Sequence, residues 1–205
     1  MKKIFIIVFC LILLTGCNGK ELKEIYNNMK IGESIESYQL DLRIYGENNG
    51  ERVNEMYKID NYKNQKYKID TYNLTYYFID GIMYEEKEIK EEIVYNKTND
   101  EIFYDTDIIL EGLNNITAKE EIENDIEGKE LKVYEVELND EYIKELLSKI
   151  GYQNDYSEAK GKVYLENDNI YKVIYIVDGL TINGTYFRIN NINDINIDVK
   201  GDSNI

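Results

Sequence analysis

The stretch SYQLDLRIYG, residues 37–46, decides the fold. Tyr38, Leu40, Leu42 and Ile44 alternate with Gln39, Asp41, Arg43 and Tyr45. That period of two puts an apolar and a polar set on opposite faces of a β-strand. Gly46 stops it, and Asn48-Asn49-Gly50 turns the chain. The pattern then repeats. Residues 52–60 read as a second strand, with Val53, Tyr57 and Ile59 on one face, and 61–64 as a turn. Residues 66–72 alternate again. In TYYFIDGIMYEE, residues 75–86, two strands flank Asp80-Gly81, a pair suited to a type I′ hairpin turn. Consecutive strands with tight turns make an antiparallel meander.

Further along, 88–96 fits helix or strand: Ile89 and Ile93 are four apart, yet Ile93, Val94 and Tyr95 are β-formers. Residues 107–114 read as a short helix capped by Asp107, with Ile109, Leu113 and Ile116 facing inward. Strands are expected at 119–127 and 130–138. Residues 139–150 give the clearest helix: Asn139 or Asp140 caps it, and Ile143, Leu146, Leu147 and Ile150 form one stripe before Gly151. Three more strands follow at 161–166, 170–178 and 180–189. A last short strand is expected from Ile192, Ile195, Ile197 and Val199. Before the meander, Leu22, Ile25, Tyr26 and Met29 give residues 20–30 a helical apolar face. With no linker-like stretch and no internal repeat, the chain reads as one α+β domain. A large antiparallel sheet has one face covered by two or three helices.

The chain has 205 residues, 24 Lys+Arg against 40 Asp+Glu, a formal charge of −16, two Cys, and no His, Pro or Trp. Absence of His excludes Ser-His-Asp and Cys-His catalysis and His-ligated metals. The acidity argues against a nucleic-acid partner, because such binding rests on Lys and Arg at phosphates.

At the start, Lys2 and Lys3 precede an apolar run over 4–14, long enough for a secretory signal and short of the ~20 residues that span a bilayer. Leu14-Thr15-Gly16-Cys17 follows and resembles the lipobox of bacterial lipoproteins. The resemblance implies diacylglyceryl transfer to Cys17 and cleavage after Gly16. Residues 1–16 are then a signal peptide and 17–205 the mature domain. Cys10 leaves with the signal, so Cys17 has no partner for an intramolecular disulfide. The expected location is the extracytoplasmic face of the bacterial cell membrane. The acyl chains hold the protein there, because an acidic chain is repelled by anionic headgroups.

No residue pattern marks an enzyme. Glu123-x-Asp125-x-Glu127-Gly128 starts like a calcium loop, but its twelfth position is Tyr134, where a bidentate Glu is needed. Forty acids supply carboxylate pairs without singling one out for glycoside hydrolysis. The Asn-x-Thr sequons at Asn73, Asn96, Asn115 and Asn183 carry no glycosylation reading behind a bacterial lipobox. Twenty tyrosines, many alternating along strands, suit half-buried sheets; an aromatic lining for an amphipathic or glycan ligand is the other reading. No cofactor and no metal are expected.

The order of elements is similar to the LolA-like superfamily, in particular the LppX/LprG type of surface lipoprotein. The residues that carry the likeness are Ile35-Glu36-Ser37-Tyr38, Tyr77-Phe78-Ile79-Asp80-Gly81-Ile82-Met83-Tyr84, Lys160-Gly161-Lys162-Val163-Tyr164-Leu165 and the stretch 190–199. The resemblance implies a curved, unclosed half-barrel wrapped over helices, with a cavity that holds lipid tails or lipoprotein acyl chains. Tyr38, Leu40, Leu42 and Ile44 from the first strand would line it, with Ile143, Leu146, Leu147 and Ile150 from the helix. The expected protein is a monomer, membrane-bound through Cys17, with a lipid or lipoprotein ligand. The residues leave a second reading open, a non-enzymatic interaction lipoprotein with a filled core and an acidic partner face. Apolar faces that line a cavity and apolar faces that fill a core look alike in sequence.

Overall fold

The computed structural model describes residues 36–48, 50–63, 66–100, 102, 106, 108–109, 117–126, 129–152, 156–167 and 169–199; at 117–126, 129 and 130 it describes the backbone alone. The expected helix at 20–30 and the lipobox lie outside the described residues, as does most of the expected helix at 107–114.

Six strands form the first meander: β1 (Ser37–Asn48), β2 (Glu51–Tyr62), β3 (Lys66–Asp70), β4 (Thr75–Ile79), β5 (Ile82–Ile89) and β6 (Glu92–Lys97). Then come β7 (Thr117–Ile126), β8 (Lys129–Glu137), α1 (Asp140–Lys149), β9 (Ala159–Glu166), β10 (Asn169–Val177) and β11 (Leu180–Phe187). They make one open antiparallel sheet of eleven strands in the order β6-β5-β4-β3-β2-β1-β11-β10-β9-β8-β7. Every neighbour is consecutive in sequence except β1 and β11, whose register Gln39↔Phe187 to Tyr45↔Thr181 joins the two meanders at the centre.

Turn chemistry sets the hairpins. Asp80-Gly81 and Asp178-Gly179 both take positive φ at both residues, as a type I′ turn requires. Lys90-Glu91 does the same without a glycine, at φ 53° and 67°. This resolves the ambiguous 88–96 segment as the end of β5, a two-residue turn and β6. Gly46 is needed for a different reason. Its φ is +132°, and a Cβ there would sit 2.1 Å from the carbonyl oxygen of Gly179.

The sheet face that carries α1, here the inner face, holds the main core. Tyr38, Leu40, Leu42 and Ile44 of β1 join Ile59, Ile69, Tyr134, Val163, Val173, Tyr175 and Ile182 in one buried cluster with the helix stripe. Burying each aliphatic side chain contributes about 1.5–3 kcal/mol before entropy is counted. Across β4, Tyr76 faces this core while Tyr77 faces the opposite, outer side.

Three expectations need correction. Two or three covering helices were expected, and among the described residues only α1 is a complete helix; Ile108 and Ile109 are helical as well. One ten-residue helix cannot cover eleven strands. Part of the remaining cover comes from buried Thr106, Ile108 and Ile109, together with large side chains rising from the sheet itself. Asn61 and Tyr62, expected in a turn, end β2 instead. Asn61 is fully buried because its amide donates to the Tyr38 hydroxyl at 3.2 Å. Finally, 191–199 forms no strand. It crosses the outer face as a strap, with Ile192 and Ile195 buried against Tyr77 and Tyr84. The Asn190 and Ile192 amides donate to Ser37, and Lys66 Nζ donates to Asp194 at 2.6 Å and Asn196 at 2.9 Å. Side-chain packing holds the strap, so no ladder is needed.

Candidate functional site

The structure brings all eight expected lining residues together. Tyr38, Leu40, Leu42 and Ile44 are at most 1% exposed; Ile143, Leu146, Leu147 and Ile150 are at most 8% exposed; all belong to one cluster. Alternation along β1 aims its four residues the same way. The Asn139 side chain fixes the start of α1 by accepting from the amides of Glu141 at 2.8 Å and Tyr142 at 3.3 Å. Helical spacing then turns the stripe onto the sheet.

Sequence reasoning missed Tyr142. Its ring meets Tyr175 of β10 edge-on at 5.9 Å, and both hydroxyls donate to the Ile109 carbonyl, at 3.4 Å and 2.9 Å. Ile109 therefore lies clasped between helix and sheet. Gly184 of β11 makes the seat: a Cβ there would lie 3.1 Å from Leu40 and 3.8 Å from Ile109. Beside it, Thr106 shares a 2.5 Å hydrogen bond with the Tyr38 hydroxyl. Burial pushes the Tyr175 phenol well above its ordinary range.

The apolar face ends in polar groups. Glu55 stands in β2 with the inward-facing parity of Val53, Tyr57 and Ile59, and accepts from Tyr57 at 2.7 Å and Tyr152 at 2.9 Å. Both phenols are raised, first by burial and then by the carboxylate beside them. Glu55 thereby ties β2 to the chain just after α1. Both its oxygens are engaged, which suits positioning better than proton transfer. The inner face can shelter apolar groups, and its polar atoms hold the surrounding elements together.

A second feature lies at the end of the sheet where β1 begins. A cleft of about 430 Å³ opens between the β9–β10 hairpin and the chain after β11. Glu166, Asn167 and Asn169 line one side, Phe187, Arg188 and Ile189 the other, with Ile170, Tyr171 and Tyr186 between them. Residues 167–169 read in the sequence as a turn and nothing more. Only the pairing of β10 with β11 sets the hairpin against residues 187–189.

No family model and no curated protein matches the sequence. Solved structures do. The crystal structure of the lipoprotein LppX from Mycobacterium tuberculosis is similar over 87% of this chain and 100% of its own, with 12% identity and a TM-score of 0.57. That of LprF from Mycobacterium bovis is similar over 87% of this chain and 96% of its own, with 11% identity and a TM-score of 0.59. A LolA superfamily protein from Nitrosomonas europaea matches over 84% of the chain at a TM-score of 0.31, too loose a likeness to argue from. The eleven-stranded open sheet with a helix on its inner face is the fold of the LppX and LprF lipoproteins.

Proposed function

We propose that this protein is a lipid-anchored lipoprotein on the extracytoplasmic face of a bacterial membrane. It holds an apolar or amphipathic ligand, a lipid or acyl chain, between the sheet and its helical layer, and it is not an enzyme. One observation carries the reading: an uninterrupted apolar inner face, formed by β1 and α1 together, on a sheet with the LppX and LprF fold. Cys17 supplies the anchor, with two acyl chains enough for stable attachment. The tight packing of Ile109 against Leu40 and Gly184 favours a second reading, an interaction lipoprotein whose core is already filled.

Solvent extraction and mass spectrometry of residues 18–205, purified from a bacterial host, separate the two. Stoichiometric lipid is expected from a carrier. Lipid-free protein that also fails to bind a fluorescent fatty acid supports the filled core. For the anchor, Cys17→Ala is expected to move the protein from the membrane fraction to the soluble one, read by fractionation and immunoblot. Retention in the membrane would remove the lipobox reading.

A further inference from the structure

We propose that the cleft between the β9–β10 hairpin and residues 187–189 is a ligand site for an uncharged glycan, separate from the inner face. Its volume of about 430 Å³ falls in the range of small-ligand sites. Its chemistry is mixed in a particular way. The Phe187 ring is 38% exposed, and the Tyr171 ring beside it is half-buried. Rings of this kind offer flat apolar faces to the C–H side of a sugar. The rim carries two amides, a carboxylate and a guanidinium, from Asn167, Asn169, Glu166 and Arg188. These planar groups supply donors and acceptors together, which is what neighbouring hydroxyls require.

The rim is also oriented. The Asn169 amide nitrogen donates to the Asn167 carbonyl at 3.1 Å, which turns the Asn169 side-chain oxygen into a fixed acceptor. Arg188 spends one N–H on the Asn191 carbonyl at 3.2 Å, and its fork has others to offer. The Asn167 side chain engages no other described residue.

Charge decides between ligand classes. Arg188 and Glu166 bring opposite signs to one small cleft, on a chain of net charge −16. An anionic headgroup or free phosphate meets a guanidinium offset by a carboxylate and an acidic surround, and a cation meets the guanidinium. A lipid tail would strand four polar groups. A neutral polyhydroxylated ring satisfies the rim and uses the aromatic faces.

The test uses the full-length lipoprotein in detergent micelles, with chitotriose and cellotriose as probes and inorganic phosphate as the charged control. Saturation-transfer NMR is expected to show contact with at least one oligosaccharide, and calorimetry its affinity. Phe187→Ala and, separately, Asn169→Ala are each expected to weaken binding about tenfold, with unchanged circular dichroism and melting temperature. Both side chains are exposed, so loss of fold is not the expected outcome. No transfer from either oligosaccharide, binding untouched by both variants, or phosphate binding tighter than the sugars would each overturn the proposal. Lipid-free and lipid-loaded protein should behave alike, so the outcome stands independently of the inner-face reading.

Discussion

Gly161 shows how finely the interior of the sheet is matched. It lies in β9 opposite Tyr175 on one side and Val136 on the other. A Cβ there would stand 2.5 Å from Val136 Cγ2 and 3.2 Å from both Leu138 and Tyr175. Gly161→Ala should therefore cost about 1–3 kcal/mol by overpacking, read from urea denaturation. Val136→Ala in the same chain should restore part of the loss, since it removes the clashing methyl. The Tyr38 hydroxyl is a second sensitive point, because it meets Thr106 and Asn61 where all three side chains are buried. Tyr38→Phe should cost about 1–3 kcal/mol, since buried polar partners lose a hydrogen bond while the ring still fills its space. An unchanged denaturation midpoint would show that these groups find other partners. Tyr38 itself was legible from alternation. Asn61 was not, because a lone Asn near Gly- and Asn-rich sequence reads as a turn until a buried hydroxyl is found to satisfy it.

Among the elements, the β5–β6 hairpin carries local strain that can be relieved. Lys90 and Glu91 both hold positive φ, which side chains with a Cβ disfavour. Glu91→Gly should stabilise the protein by about 1 kcal/mol, seen as a rise of about 2–4 °C in melting temperature. No gain would mean that the Glu91 side chain makes up for the strain. The same turn explains why the sequence was ambiguous here: Lys-Glu carries no turn signal, so the Ile89/Ile93 spacing competed with the β-formers. In contrast, α1 announced itself at both ends. Asn139→Ala should weaken the protein by about 1 kcal/mol through loss of the cap, checked by chemical denaturation. The strap shows where element reasoning stops. Ile192 and Ile195 have a core-like pattern, but they bury against outward-facing Tyr77 and Tyr84 rather than pairing in a ladder.

For the whole molecule, tyrosine ionisation governs stability in alkali. Burial raises the phenols of Tyr57, Tyr77, Tyr152 and Tyr175 above their ordinary value of 10.0, and carboxylates add to this at the first three. Hydrogen bonding to Asp140 adds to burial at Tyr156, which is pushed up to about 12. The folded state thus keeps protons that the unfolded state releases. Stability should be fully present below pH 10 and fall as pH rises above it. Tyrosinate absorbance should show a group of phenols that ionise only with loss of circular dichroism. Full titration in a folded chain would contradict their burial. At the acid end the sign reverses. Asp178 is held low by the Ser157 amide and hydroxyl, and Asp194 by Lys66. Their contribution is lost as pH falls below the usual carboxylate range.

Much of the architecture was written in local pattern. Period-two alternation, Asp-Gly turns and one capped amphipathic stripe depend on neighbours in the chain, so residues 37–46 and 139–150 could be read without coordinates. The residues of the inner face were legible for the same reason, since alternation dictates which side chains point together. Tertiary structure alone decided the rest. The β1–β11 pairing joins residues far apart in sequence, and no local signal encodes it. That pairing gives Gly184 its role as the seat of Ile109. The pairing of β11 with β10 sets the β9–β10 hairpin against Arg188 to form the cleft. Whether an apolar face is occupied depends on what long-range pairing lays across it, and periodicity carries no information about that.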